Sequence, residues 1–163
     1  MCKTLVKKYG GLLLWLLLCY VAAGLGALAS IEARDFYSQL AQPEWAPPAW
    51  LFGPVWAVLY AMMAVAAWLV WGAHPAQTKR MALAVFLLQL LVNALWTWLF
   101  FAWKLGSLAL FDILLLTSLI LVCVVLFYRI NTVAGLLLIP YLLWVSFASV
   151  LNYTMLLLNP DAL

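Results

Sequence analysis

Residues 105–128 read LGSLALFDILLLTSLILVCVVLFY, an uncharged stretch except for Asp112. About 20 apolar residues in an α-helix are enough to cross the roughly 30 Å of hydrocarbon in a bilayer. Strands of a membrane barrel would instead show segments of about ten residues with alternating polarity. The stretch is continuous in its apolar character, so it predicts a transmembrane helix.

Outward from this stretch, the charged residues separate four more apolar runs of similar length. We therefore predict an all-α membrane protein, a single domain over residues 1–163 that forms a five-transmembrane-helix bundle. The predicted helices cover residues 10–30, 52–73, 80–102, 106–128 and 133–158. One alternative concerns the first run, because Lys3, Lys7 and Lys8 precede it and Ala27-Leu28-Ala29 ends it, as in a cleaved signal peptide. The run is longer than a usual signal core, which favours a retained helix.

Composition supports the same class of protein. Of the 163 residues, 70% are hydrophobic, 8% are charged and ten are Trp. A soluble domain carries about a quarter charged residues, and a disordered chain is poor in aromatic residues. A net charge of +3 without a basic stripe argues against nucleic acid as a partner. We therefore expect membrane lipid to surround the protein.

The basic residues predict the orientation in the membrane. Six of the eight lie in the N-terminal segment and the loops at 74–80 and 129–132, on the side that also holds His74. Arg34 and Lys104 lie on the other side. The positive-inside rule then places the N-terminus in the cytoplasm and the C-terminus outside.

The connection at residues 31–51 is long and unusual. It carries Pro43, Pro47 and Pro48, which stiffen it, and Trp45 and Trp50. Loops longer than about 12–15 residues are usually functional lids or binding loops. The segment is either a lid or an interfacial loop whose Trp residues lie among lipid headgroups.

The Trp residues fall into two groups by depth. Those near helix ends suit an aromatic belt at the membrane surface: Trp15, Trp68, Trp71 and Trp103. Others share helix faces with polar residues at spacings of three or four: Trp56 with Tyr60, Asn93 with Trp96, and Trp144 with Tyr141 and Ala148. Amides in hydrocarbon need partners, so Gln89, Asn93 and Asn152 should face the bundle interior. Either they only join helices, or they line an aromatic cavity in which Ala148 leaves room.

Several motifs, in order along nearly the whole chain, resemble one family. The strongest is PEWAPPAWLFGPVW at residues 43–56, followed by Leu59-Tyr60. Further matches lie at residues 89–101, 109–112 and 140–153. The chain therefore resembles the TspO/translocator protein family, the tryptophan-rich sensory proteins related to the peripheral benzodiazepine receptor.

The resemblance implies a function that composition does not. Family members bind tetrapyrroles such as protoporphyrin IX, sterols and benzodiazepine-site ligands inside the bundle, with the first loop as lid. By motif position, the implied ligand-binding residues are Trp45, Trp50, Pro54, Trp56, Tyr60, Asn93, Trp96, Trp144, Phe147, Ala148 and Leu151. The implied role is a sensor or regulator of porphyrin metabolism. A porphyrin transporter stays open, as does a light-dependent porphyrin-degrading enzyme that would use Trp56 and Trp144.

The ligand chemistry suggests further expectations. Porphyrin carboxylates need cations, and Arg34 and Lys104 are the basic residues on the lid side, so one or both should contact them. No cofactor and no metal are expected to be required, and another flat hydrophobic ligand could take the porphyrin's place. The family's sterol motif lacks its basic residue after Tyr153, which weakens the case for sterol binding there. Small residues on the first helix, Ala22, Gly26 and Ser30, would let another helix approach, within the chain or across a homodimer.

Overall fold

A computed structural model of the chain describes residues 2–73 and 76–163, with side chains for residues 10–73 and 78–163. Within these residues, five helical segments are long and apolar enough to cross a membrane. This confirms the predicted five-transmembrane-helix bundle. The expected positions of His74 and of the N-terminal lysines lie outside the described side chains.

The described residues contain seven α-helices. They are α1 (Cys2–Ala29), α2 (Ala33–Gln39), α3 (Ala49–Trp71), α4 (Ala76–Thr97), α5 (Gly106–Ile130), α6 (Thr132–Leu137) and α7 (Ile139–Leu158). A π-helical turn, Trp98–Ala102, extends α4. Helix α2 lies within the segment predicted as a loop over 31–51, and α3 begins at Ala49 rather than at residue 52.

The spans form a closed ring. Helix α1 packs against α3 and α4, α5 packs against α4 and α7, and α3 also contacts α6 and α7. Small residues of α3 at the centre, Ala64, Ala66 and Ala67, have no exposed surface. Such residues let membrane helices approach closely. We call the end of the ring that carries α2 and residues 40–48 the lid end.

The fifth span is broken, although the sequence predicts it as continuous over 133–158. Helix α6 ends at Leu137, and α7 begins at Ile139 with Pro140 in its first turn. Proline has no N–H to donate and its ring displaces the carbonyl of the residue four positions earlier. Because the first turn of a helix needs no N–H donor there, Pro140 is accommodated by starting a new helix.

The aromatic belt is only partly as expected. Trp71 and Trp103 are exposed, as belt residues are. Trp15 is only 5% exposed. Its ring packs edge-on against Phe86, with 5.8 Å between centroids. The belt prediction is therefore wrong for Trp15, which is a core residue between α1 and α4.

Candidate functional site: an aromatic cavity between three helices

A cavity of about 440 Å³ lies between α1, α3 and α4 at the lid end of the bundle. Three tryptophans line it, Trp50 and Trp56 from α3 and Trp96 from α4, together with Arg34 and Tyr37 of α2. The apolar lining is interrupted by few polar groups. A concave, mostly apolar space of this size with few convergent polar groups is the usual form of a small-molecule site.

A hydrogen-bonded chain of buried side chains forms the deep end of the cavity. The Tyr60 hydroxyl donates to Asn93 Oδ1 (2.9 Å), and Asn93 Nδ2 donates to the Tyr141 hydroxyl (2.6 Å). Tyr141 in turn donates to Gln89 Oε1 (2.7 Å). Tyr60 and Asn93 line the cavity, whereas Tyr141 and Gln89 lie behind them. The network fixes the orientation of the Asn93 amide, because each of its polar atoms already has a partner.

A wall of side chains separates this cavity from the space near α7. Phe52, Trp56, Asn93 and Trp96 line the cavity on one side and a void of only about 10 Å³ on the other. Trp144, Val145 and Ala148 line that void and not the main cavity. Ala148 lines only this small void, and the expectation that it leaves room for a ligand stays a prediction.

Aromatic rings fill the space on the α7 side of the wall. The Trp144 ring packs against Phe52 and Phe147, at 5.9 and 5.7 Å between centroids. The Trp45 ring covers Phe147 from the loop, at 5.8 Å. These edge-on and tilted contacts are the favourable geometries for aromatic pairs. Trp56 and Trp144, expected to act together if porphyrin is degraded, both line the small void, but only Trp56 also lines the main cavity.

The lid segment is anchored at both of its ends. The Tyr37 hydroxyl donates to the Pro47 carbonyl (3.1 Å), which ties α2 to the loop. Burial raises the pKa of the Tyr37 phenol, so this donor keeps its proton. The Asn159 amide pairs with both backbone groups of Ala41, accepting from its N–H at 2.7 Å and donating to its carbonyl at 3.0 Å. The segment therefore covers the lid end of the ring in a defined conformation.

The two basic residues of the lid end have different positions. Arg34 lines the cavity and is exposed at its rim. Lys104 does not line it; the ammonium lies 4.8 Å from the centroid of the Phe36 ring, a cation–π contact that attaches α2 to the end of the π-helical turn. Lys104 has a φ of 55°, and the following N–H of Leu105 donates to the Leu99 carbonyl, which closes the helix.

The predicted site residues thus separate into three groups. The first group lines the cavity and consists of Trp50, Trp56, Tyr60, Asn93, Trp96 and Arg34. Trp144 and Ala148 line only the small void, and neither space is lined by Trp45, Pro54, Phe147, Leu151 or Lys104. Leu151 is instead buried in an apolar cluster with Phe36 and Phe100.

Helix α1 supplies a wall of the cavity that the site prediction omitted. The residues concerned are Tyr20, Ala23, Gly26 and Ala27, together with Ser30 directly after the helix. Two of them, Gly26 and Ser30, belong to the small-residue stripe predicted to admit a neighbouring helix. The sequence signal was therefore present, but small side chains mark a close helix contact and a cavity wall equally well.

Comparison with known proteins agrees with this geometry. The sequence model of the TspO/MBR family matches residues 15–158 of the chain, which include every residue that lines the cavity. The chain belongs to the TspO/MBR family. A tryptophan-rich protein TspO from Chlorobaculum tepidum is 42% identical over 129 residues, 78% of this chain and 82% of its own length.

Other TspO relatives span bacteria and animals. The translocator protein of Homo sapiens is 36% identical over 124 residues, 75% of this chain and 73% of its own. A tryptophan-rich sensory protein from Cereibacter sphaeroides is 34% identical over 147 residues, 90% of both chains. This chain is therefore a multi-pass membrane protein of the TspO family.

Proposed function

We propose that the protein is a membrane sensor that binds protoporphyrin IX, or a similar flat aromatic ligand, in the cavity between α1, α3 and α4, and so regulates porphyrin metabolism. The observation that carries the proposal is a cavity of about 440 Å³ with three tryptophans in its walls and Arg34 at its rim. Ligand cavities typically measure about 300–1,000 Å³. The sensory role is supported by the name of the Cereibacter sphaeroides relative, a tryptophan-rich sensory protein.

The chemistry of a porphyrin suits these walls. Indole rings pack against the face or edge of a large aromatic ligand. Arg34 is placed to bind a carboxylate at the rim, since a guanidinium matches a carboxylate in geometry and charge. Benzodiazepine-type ligands, which also carry aromatic rings, would occupy the same space. Lys104 lies over Phe36 and does not line the cavity, so we assign the carboxylate contact to Arg34 alone.

The test is a titration of the purified protein with protoporphyrin IX, followed by Trp fluorescence. We expect Arg34→Ala to weaken binding by about tenfold or more, since a charge-assisted hydrogen bond contributes about 1.5–3 kcal/mol. Lys104→Ala is the matched control and should change the dissociation constant by less than about twofold. Absence of quenching at micromolar ligand in the wild-type protein would contradict the proposed function. Equal effects of the two variants would contradict the position given to the carboxylate.

We also propose that the N-terminus lies in the cytoplasm and the lid end faces outward. The support is the excess of basic residues at the other end, where Lys79, Arg80 and Arg129 lie. A membrane-impermeant maleimide added to intact cells should label Asp161→Cys and leave Arg129→Cys unlabelled. The reverse pattern would invert the orientation.

A further inference from the structure

Part of the cavity wall is exposed on the outside of the bundle. On α1 the exposed lining residues are Tyr20 and Ala27, and on α3 they are Trp50, Gly53 and Ala57. These residues lie on two adjacent helices that pack against each other. The cavity therefore has a mouth in the side of the ring, between α1 and α3.

The mouth lies at the depth of the hydrocarbon. Tyr20 is nine residues before the end of α1 at Ala29, and Ala57 is eight residues after the start of α3 at Ala49. At 1.5 Å per residue, both lie about 12–14 Å below the lid end of their helices. Ala27 and Gly53 lie about 3–6 Å below the lid end, so the mouth extends from there down to Tyr20 and Ala57. Since the hydrocarbon core is about 30 Å thick, the lower part of the mouth faces lipid acyl chains.

Small side chains keep the mouth open above a closed lower edge. At the lower edge, the Tyr20 hydroxyl donates to the Ala57 carbonyl at 3.0 Å and joins the two helices. Above that contact, a Cβ atom added to Gly53 would meet no atom within 4 Å. Gly53 therefore has open space beside it, on the stretch of α3 that lines the cavity.

The route from water is more obstructed. The loop over the lid end is tied by the hydrogen bonds of Tyr37 to Pro47 and of Asn159 to Ala41. Opening it would break these contacts, whereas the lateral mouth requires no bond to break.

We propose that the ligand enters and leaves from the bilayer, through this lateral portal between α1 and α3. The inference rests on the proposed function and adds the class of ligand: an amphiphile dissolved in the leaflet at the lid end. Its apolar body passes between Ala27 and Gly53, and its anionic group reaches Arg34 at the membrane surface. A water-soluble aromatic anion that does not partition into lipid would be a poor ligand.

The experiment uses the full chain in liposomes and protoporphyrin IX as the probe, with binding followed by stopped-flow Trp fluorescence. Gly53→Leu narrows the portal. Gly24→Leu is the matched control, because its Cβ also meets no atom within 4 Å and it does not line the cavity. We expect Gly53→Leu to lower both the association and the dissociation rate by about tenfold, while Gly24→Leu leaves both rates within about twofold of wild type.

An unchanged association rate in Gly53→Leu, or equal slowing in Gly24→Leu, would overturn the portal. Should Gly53→Leu fail to fold, Ala27→Phe narrows the other side, with Ala84→Phe on the exposed face of α4 as its control. An unchanged association rate in Ala27→Phe, or equal slowing in Ala84→Phe, would then overturn the portal. A wild-type protein that does not bind the probe would refute the proposed function and the portal with it. Binding with unchanged rates in the narrowed variants refutes the portal alone.

Discussion

The hydroxyl of Tyr141 is the most heavily used polar group at the deep end of the cavity. It accepts from Asn93 and donates to Gln89, and the residue is 1% exposed. Tyr60, the other tyrosine of this hydrogen-bonded network, makes one hydrogen bond to Asn93. In hydrocarbon no water replaces a lost partner, so the number of groups left unpaired should set the cost of removing each hydroxyl.

The two tyrosines therefore form a matched pair for mutation. Tyr141→Phe leaves Gln89 Oε1 without its donor and Asn93 Nδ2 without its acceptor, and we expect a loss of about 2 kcal/mol in the free energy of unfolding. Tyr60→Phe removes one bond and should cost about 1 kcal/mol. Unfolding in mixed detergent micelles measures both. A larger loss in Tyr60→Phe would show that the network is not as described.

At the residue scale, the sequence predicted that the polar side chains face the bundle interior, but it did not predict which groups they contact. Gln89, Asn93 and Asn152 were predicted to face the interior, and the structure confirms that all three are buried. Helical spacing gives the face on which a side chain lies. It does not give the residue across the interface: Asn152 accepts from the Trp96 indole N–H, and that pairing depends on how α4 and α7 pack.

Among the elements, the segment between α1 and α3 departs most from its prediction. The prolines correctly indicated a stiff connection, but α2 and the contacts that hold the segment were not predictable. Ala41 and Asn159 are 118 positions apart, and no local pattern connects them. The segment is held as a cover because the last turn of α7 and the loop meet at the same end of the bundle.

The pair of hydrogen bonds between Asn159 and Ala41 can be tested by hydrogen exchange. Asn159→Ala removes both bonds to Ala41. We expect faster exchange over residues 40–48, since these amides would lose their anchor. Asn159→Asp keeps an acceptor for the Ala41 N–H, so it should retain protection of that amide while losing the bond to its carbonyl. Equal exchange in wild type and Asn159→Ala would show that these two hydrogen bonds do not hold residues 40–48 in place.

On the scale of the whole molecule, the number of spans was predictable because the bilayer imposes it. A helix must be about 20 apolar residues long, and a charge is costly within it, so charges mark the boundaries. The division of the bundle interior into a cavity and a separate small void was not predictable from the sequence. Whether Phe52, Trp56 and Trp96 stand between two spaces or leave one large pocket depends on side-chain packing, which motif position does not specify.

We propose that the ligand occupies the space between α1, α3 and α4, and not the space beside α7. Trp50 lines only the first space and Trp144 only the second, so they distinguish the two. The measurement is the dissociation constant of protoporphyrin IX, taken from the shift of the porphyrin absorbance band. We predict that Trp50→Leu raises it by about fivefold, from the loss of an aromatic contact, and that Trp144→Leu changes it by less than about twofold. A large loss in Trp144→Leu with none in Trp50→Leu would contradict the account and place the ligand beside α7.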